Sequence, residues 1–485
     1  MSVSRVKALR QDQLNAQRRL RGEESDLQLL EDVMCDPGTH AEAAAIPKKQ
    51  TGRPRDYPDY MQIVFAAAVS IYGSAHKVEA QFADPRVWDF LRDTAKAMFP
   101  DDPSQWLPPE QMKRYHFSYA KCYLADPGVL RARAEISTRE GVELARSMGL
   151  GDPDGPGSFT HPDLSRLLYG DGKVFTPIYK AKPGETRVDK KTGEIHHLRF
   201  DPDASDHVEG GGDFVYGTKF AWMHIRSDLG RVILGVAHVP FSGSGGEAGV
   251  AFDLLSRIVE ANPGGFQGVI YDMAMRGDHI DRIMRLLGLL TIARVPAKEK
   301  HARKGQRTGR RVPKEKLIEV RTVKGPNGVE QQVRFVAKDG ALGIAGMNDK
   351  GGATWERLER LRTQRHPDKS AYRWYNQYAL PAGYETREIS VRLHNDDADR
   401  AKHLNRAENL RAIPPGDPDF DRLYAQRADA ESINRHLEDT LYLNRAHSVG
   451  YLRQWSDMLG FARLVNAHTR ARAARERERE RLKAA

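Results

Sequence analysis

LLYGDGKVFTPIY (residues 167–179), FVYGTKFAWMHIRS (214–227) and GRVILGVAHVP (230–240) are the stretches whose reading decides the fold. Each is rich in Val, Ile, Tyr and Phe and is bounded by turn residues, which predicts three successive strands. Towards the C-terminus, VAFDLLSRIVEANP (250–263) predicts a helix and GGFQGVIYD (264–272) a short apolar strand. HIDRIMRLLG (279–288) then predicts a second helix and LLTIARV (289–295) another strand. Three antiparallel strands followed by alternating helices and strands make a mixed α/β sheet.

Working outward, the Gly/Pro/Asp run GDPDGPG (151–157) marks a boundary before this sheet. Residues 51–150 are densely helical. Gly73 stops one helix, Ser74 can cap the next and Pro85 can open a third. Three short helices with tight turns suit a helix-turn-helix DNA reader, and a plain helical bundle has the same pattern. Residues 1–50 are charged and too poor in apolar residues for a core of their own, so a partly mobile segment is expected. The first part of the core spans 160–295. A β-rich insertion is expected over 296–400, opening with a basic run from Lys298 to Lys316 and continuing through hairpin signals at GPNG and KDG. The core resumes over 401–470, and 471–485 is a charged tail whose alternating Arg and Glu suit a solvated helix.

Composition narrows the function. The 485 residues include 76 Lys or Arg against 66 Asp or Glu, a formal charge of +10, which favours an acidic partner such as nucleic acid. Two cysteines, Cys35 and Cys122, without a Cys/His cluster support neither a disulfide framework nor a structural zinc site. No apolar run approaches the length of a membrane span. A soluble, cytoplasmic protein is the expectation.

YAQRADAESINRHLEDTLYLN (424–444) reads as one helix, with Ile433, Leu437 and Leu441 on its core face. At about 100° per residue, Tyr424, Arg427, Glu431 and Glu438 fall on the opposite side. Two acids upstream gain meaning beside Glu431. Asp171 lies inside the first predicted strand, where burial of a carboxylate needs a partner or a cation. Asp272 ends the fourth, at the strand end where open α/β sheets bind ligands. Each alone can be a cap or a turn former; together they form an all-oxygen set suited to Mg²⁺ or Mn²⁺.

These residues resemble the DDE transposases of bacterial insertion sequences. The resemblance rests on Asp171, on Tyr216-Gly217-Thr218-Lys219, on Asp272, and on the Tyr-x2-Arg-x3-Glu spacing of Tyr424, Arg427 and Glu431. It implies a ribonuclease H-like catalytic core carrying the β-rich insertion, preceded by a helical domain. It also implies Asp171, Asp272 and Glu431 as the catalytic acids holding two Mg²⁺ ions, with Mn²⁺ as a substitute. Tyr424, Arg427, Arg435 and Lys219 are then expected at the DNA, with Trp355 or Trp374 stacking on an unpaired base or simply packing their hairpins. The implied activity is strand cleavage at transposon ends and strand transfer into target DNA, by a homodimer on duplex DNA, in association with the bacterial nucleoid. Two features depart from the pattern. Glu438 stands seven positions after Glu431, where the signature has a lysine, and MAMRG follows Asp272 where a glycine or tyrosine is usual. A nuclease or resolvase on the same fold, and a DNA-binding relative that does not cut, are the alternatives. His196-His197 and the Gly-rich loop 243–249, which lacks the GK[ST] ending of a P-loop, are read as turns.

Overall fold

The computed structural model describes residues 25–48, 55–208, 214–243, 245–295, 298–299, 311–312, 315–325, 328–347, 353–441 and 445–484. The chain forms two compact units. Met1–Met148, Gly172–Val250 and Glu431–Ala485 make the first; Gly149–Asp171 and Ala251–Ala430 make the second. The architecture is mixed α/β with an N-terminal helical region.

The first unit opens with α1 (Asp26–Cys35) and α2 (Pro37–Ala44). Ser25 caps α1 by accepting the Gln28 N–H, and Asp36 caps α2 ahead of Pro37. These helices occupy part of the segment expected to be mobile; residues 1–24 of it lie outside the described residues. Their few apolar side chains, Leu30, Val33 and Met34 among them, enter a core shared with later helices instead of forming one alone. Glu42 on α2 is fully buried and held by two fully buried arginines. Arg133 Nε donates to it at 3.1 Å and Arg463 Nη2 at 2.7 Å, while Arg463 Nη1 reaches Asp36 at 2.8 Å.

Next come α3 (Asp59–Tyr72), α4 (Ala75–Phe82), α5 (Pro85–Met98), α6 (Arg114–Leu124) and α7 (Pro127–Ser147). Helix α3 is apolar on all sides and buried accordingly. Gly73, with φ 83°, ends it in the left-handed region, and Ser74 caps α4 through the Lys77 N–H.

The sheet strands are β1 (Leu167–Phe175), β2 (Thr186–Val188), β3 (Ile195–His197), β4 (Ser205–Val208), β5 (Phe214–Ser227) and β6 (Gly230–Val239). They are followed by α8 (Gly246–Ala261), β7 (Gly268–Ile270), α9 (Gly277–Arg282) and β8 (Leu290–Ile292). In the first unit β5 pairs antiparallel with β6 and with β4, and the second half of β1 lies beside β5, Phe175 meeting Phe220 at 5.9 Å. In the second unit the first half of β1 runs parallel to β7, and β7 parallel to β8. His196-His197 sit in β3, paired with β2, where a turn was expected. The last part of the Gly-rich loop begins α8.

The insertion contains short strands β9 (Lys298–Glu299) and β10 (Arg311–Val312); most of the basic run between Lys298 and Lys316 lies outside the described residues. Four antiparallel strands follow, β11 (Glu315–Lys324), β12 (Glu330–Lys338), β13 (Ala341–Met347) and β14 (Ala353–Arg357). A three-stranded sheet comes next, β15 (Arg360–Asp368), β16 (Ala371–Ala379) and β17 (Glu388–Arg392). Short helices α10 (Asp397–Ala401), α11 (Arg406–Asn409) and α12 (Pro418–Tyr424) then lead to α13 (Arg427–Thr440) and α14 (Tyr451–Ala484). The charged tail continues α14 as a helix, with exposed pairs such as Arg479–Glu476 at 3.3 Å.

His394, in the second unit, is a pH-sensitive part of this frame. It is 6% exposed, and its Nδ1 accepts the buried Trp374 backbone N–H at 3.0 Å. Burial pushes its pKa down to about 4. A histidine depressed in the folded state contributes stability that is complete above its unfolded pKa of roughly 6.5 and is lost as pH falls towards the folded value. The melting temperature should therefore fall between pH 6.5 and 4, and fall less in His394→Gln. Equal pH profiles for the two proteins would refute this.

Candidate active site

Strand register brings two of the expected acids together in the second unit. Leu167 faces Gly268 and Tyr169 faces Ile270 across the parallel β1–β7 pair. Asp171 and Asp272 each follow the last of these partners by two residues, so they sit at equal offsets beyond the paired stretch, Asp171 midway along β1 and Asp272 past the end of β7. Asp272 lies two residues beyond β7 instead of ending it. The Tyr271 N–H donates to the Ile292 carbonyl at 3.2 Å and extends the sheet contact to that point. Asp272 Oδ1 then accepts the Ala274 N–H at 2.8 Å, which folds the chain into a turn. Both aspartates are half-buried.

In the first unit the residues after Asp171 are equally committed. A Cβ on Gly172 would meet the Glu247 carboxylate oxygens at 2.5 and 2.6 Å, so a side chain there would displace the end of Glu247. Glu247 belongs to the first turn of α8, where a negative charge is favoured by the helix dipole. Lys219 on β5 holds it at 2.7 Å, with side chains only 14% and 11% exposed. The lysine expected at the DNA is thus engaged within its own unit. Glu247 was missed in the sequence because its loop reads as a turn.

Glu438 has an explicit partner. Lys173 Nζ lies 2.6 Å from its carboxylate, with side chains 27% and 41% exposed. Lys173 stands two residues after Asp171 on β1. Ile433, Leu437 and Leu441 are buried as the stripe predicts, in a core with Phe220, Trp222 and Phe461. Glu431 and Arg435 are exposed on α13.

Tyr424 and Glu431 do not share a helix. A turn at Ala425 and Gln426 separates α12 from α13, so the common face drawn from a single helix does not extend to Tyr424. Tyr424 ends α12 with its ring stacked on Phe420 at 4.9 Å and the Arg294 guanidinium 5.0 Å from its centre. Arg427 is the first residue of α13 and is half-buried. Trp355 is half-buried on β14, its indole N–H donating to Val336 O at 3.0 Å. Trp374 is 0% exposed, donates to Met284 O at 2.6 Å and meets Phe159 edge-on at 5.0 Å. A base cannot reach that ring, and hairpin packing accounts for it.

Among the described residues, no three His, Cys, Asp or Glu side chains are grouped closely enough to hold a metal ion. Two carboxylates are nevertheless a familiar Mg²⁺ donor set, because that ion keeps several waters and takes further oxygens from substrate phosphates. The neighbouring Asp171 and Asp272 fit that demand in donor type and number.

Gly172→Ala should turn the end of the Glu247 side chain away from β1 and lower the melting temperature to the extent that its pair with Lys219 is lost. Calorimetric unfolding checks this, and an unchanged melting temperature would show that the contact has slack. Compared with known proteins, the chain matches no family model, no curated protein and no solved structure.

Proposed function

We propose that this chain is a DDE-type DNA transposase with a ribonuclease H-like core, cutting transposon ends and joining them to target DNA. The observation that carries the reading is the equal offset of Asp171 and Asp272 from the last paired residues of two adjacent parallel strands. Strand order supports it as well. β5 lies beside the second half of β1 with β6 next to β5, while β7 lies beside the first half with β8 next to β7. A ribonuclease H-like sheet would have its strands in this order, with ligands taken at the carboxyl ends of the strands.

In this reading Asp171 and Asp272 hold Mg²⁺, or Mn²⁺ in its place, and Glu431 is the third acid. Two such ions, when bound, supply Lewis acidity and an activated oxygen for in-line displacement at phosphorus. Arg427, four residues before Glu431, orients that glutamate or meets a phosphate. Lys173 supplies the cation that the signature places on the helix. Its pair with Glu438 is partly exposed, and such pairs contribute about 0–1 kcal/mol, so a DNA phosphate can draw Lys173 away at small cost. Arg435 and Tyr424 contact the DNA backbone in this reading, and Trp355 is the aromatic assigned to a base. The acting form is a homodimer pairing two ends. No described helix is long and apolar enough to cross a membrane.

Asp171→Asn, Asp272→Asn and Glu431→Gln should each lower metal-dependent cutting of a labelled transposon end by at least about a thousandfold, roughly 4 kcal/mol of barrier. Binding of the end should change less than threefold. Cutting without joining to a second duplex would identify a nuclease, and full cutting by the aspartate variants would end the proposal.

A further inference from the structure

Between β1 and β5, within the first unit, the chain forms an antiparallel ribbon that the proposed chemistry does not use. β2 and β3 pair Thr186 with His197, Arg187 with His196 and Val188 with Ile195, and all six residues are exposed. A two-stranded ribbon has too little surface to bury for independent stability, so its shape is set at its two ends. At the tip the Asp189 carboxylate accepts the Lys191 and Thr192 N–H groups at 2.7 and 3.1 Å, and Gly193 turns at φ 75°. At the root Asp201, 0% exposed, accepts Gly450 N–H at 3.1 Å and Gln454 Nε2 at 2.9 Å, while Asp203 accepts Tyr451 N–H at 2.9 Å. Two carboxylates at the N-terminus of α14 therefore anchor the ribbon.

Its charge identifies a partner. Residues 180–199 carry six Lys or Arg against three Asp or Glu. Lys182 pairs with Asp206 at 2.7 Å and His196 meets Glu194 at 3.8 Å, whereas among the described residues Arg187, Lys190, Lys191 and Arg199 make no ion pair. Alternation puts Arg187 and His196 on one face and Val188 with Ile195, 55% and 66% exposed, on the other. A two-stranded ribbon fits the roughly 12 Å major groove of B-DNA, where basic side chains reach phosphates and apolar ones meet thymine methyl groups.

We propose that the β2–β3 ribbon is a duplex-DNA contact of this protein, with Arg187, Lys190 and Lys191 on phosphates and Val188 and Ile195 in the groove. The inference rests on the proposed function only in taking DNA as the partner; it needs no cutting. Lysines on an exposed edge also discourage edge-to-edge association, a role that charge of either sign fills. DNA contact requires positive charge, so reversal separates the two.

The test uses the full chain carrying Arg187→Glu, Lys190→Glu and Lys191→Glu, with duplex binding followed by fluorescence anisotropy between roughly 50 and 200 mM salt. Loss of three phosphate contacts should lower the slope of log affinity against log salt by about 3 and weaken binding more than about tenfold, with the melting temperature unchanged. Retention of the wild-type slope overturns the proposal, as does a wild-type chain that binds no duplex. Loss of an oligomer on Val188→Ser with Ile195→Ser, at unchanged slope, overturns it too and assigns the ribbon to a second copy of the chain. Asp171→Asn separates the two readings. Normal cutting by that variant alongside a reduced slope in the reversed ribbon sinks the transposase reading alone, and the converse pair of results sinks the ribbon alone.

Discussion

Three consecutive residues of β1, Asp171, Gly172 and Lys173, meet three different constraints. Asp171 follows the last residue of the parallel β1–β7 register by two positions, as Asp272 does on the other side. Gly172 leaves room for the Glu247 carboxylate beside it. Lys173 answers Glu438.

The two lysine–glutamate pairs beside this strand look alike on paper and differ in what they can release. Lys219 and Glu247 are nearly buried. Removing one partner of such a pair leaves a desolvated charge, at a cost of about 3–5 kcal/mol. Lys173 and Glu438 are partly solvated, and their pair contributes about 0–1 kcal/mol. Lys219 is therefore held more firmly than Lys173. The solvent around each pair decides this, although sequence patterns assign the DNA role to Lys219.

Much of the frame was legible because it is local. The strands announce themselves by β-branched and aromatic runs, Gly73 and Ser74 by the conformations and hydrogen bonds they supply, and the Ile433 stripe by its period. What stayed hidden depends on contacts distant in sequence. Helices α1 and α2 have too few apolar residues to stand alone, and they order because Glu42 meets Arg133 and Arg463, residues far along the chain. Glu438 looks like a loss when only its helix is read, since the compensating Lys173 comes from a strand. Tyr424 seemed to share the Glu431 face because the turn at Ala425 and Gln426 carries neither Gly nor Pro to signal it. The ribbon was missed because three-residue strands leave almost no period to detect.

A surface ribbon is useful as a contact only if its root stays still, and the fold supplies that through α14. The helix receives Asp201 and Asp203 at its first turn. A few turns on, Arg463 is locked between Glu42 and Asp36, and Arg470 adds a second bond to Asp36 at 2.9 Å. Two acids and two arginines, Arg133 being the second, are buried there in balance. That removes the desolvated excess charge which would otherwise make the site a point of weakness. The interactions that order the N-terminal helices thus also stiffen the mount of the ribbon. Ordering cost is met during folding instead of at the moment of binding, which is how preorganisation favours association.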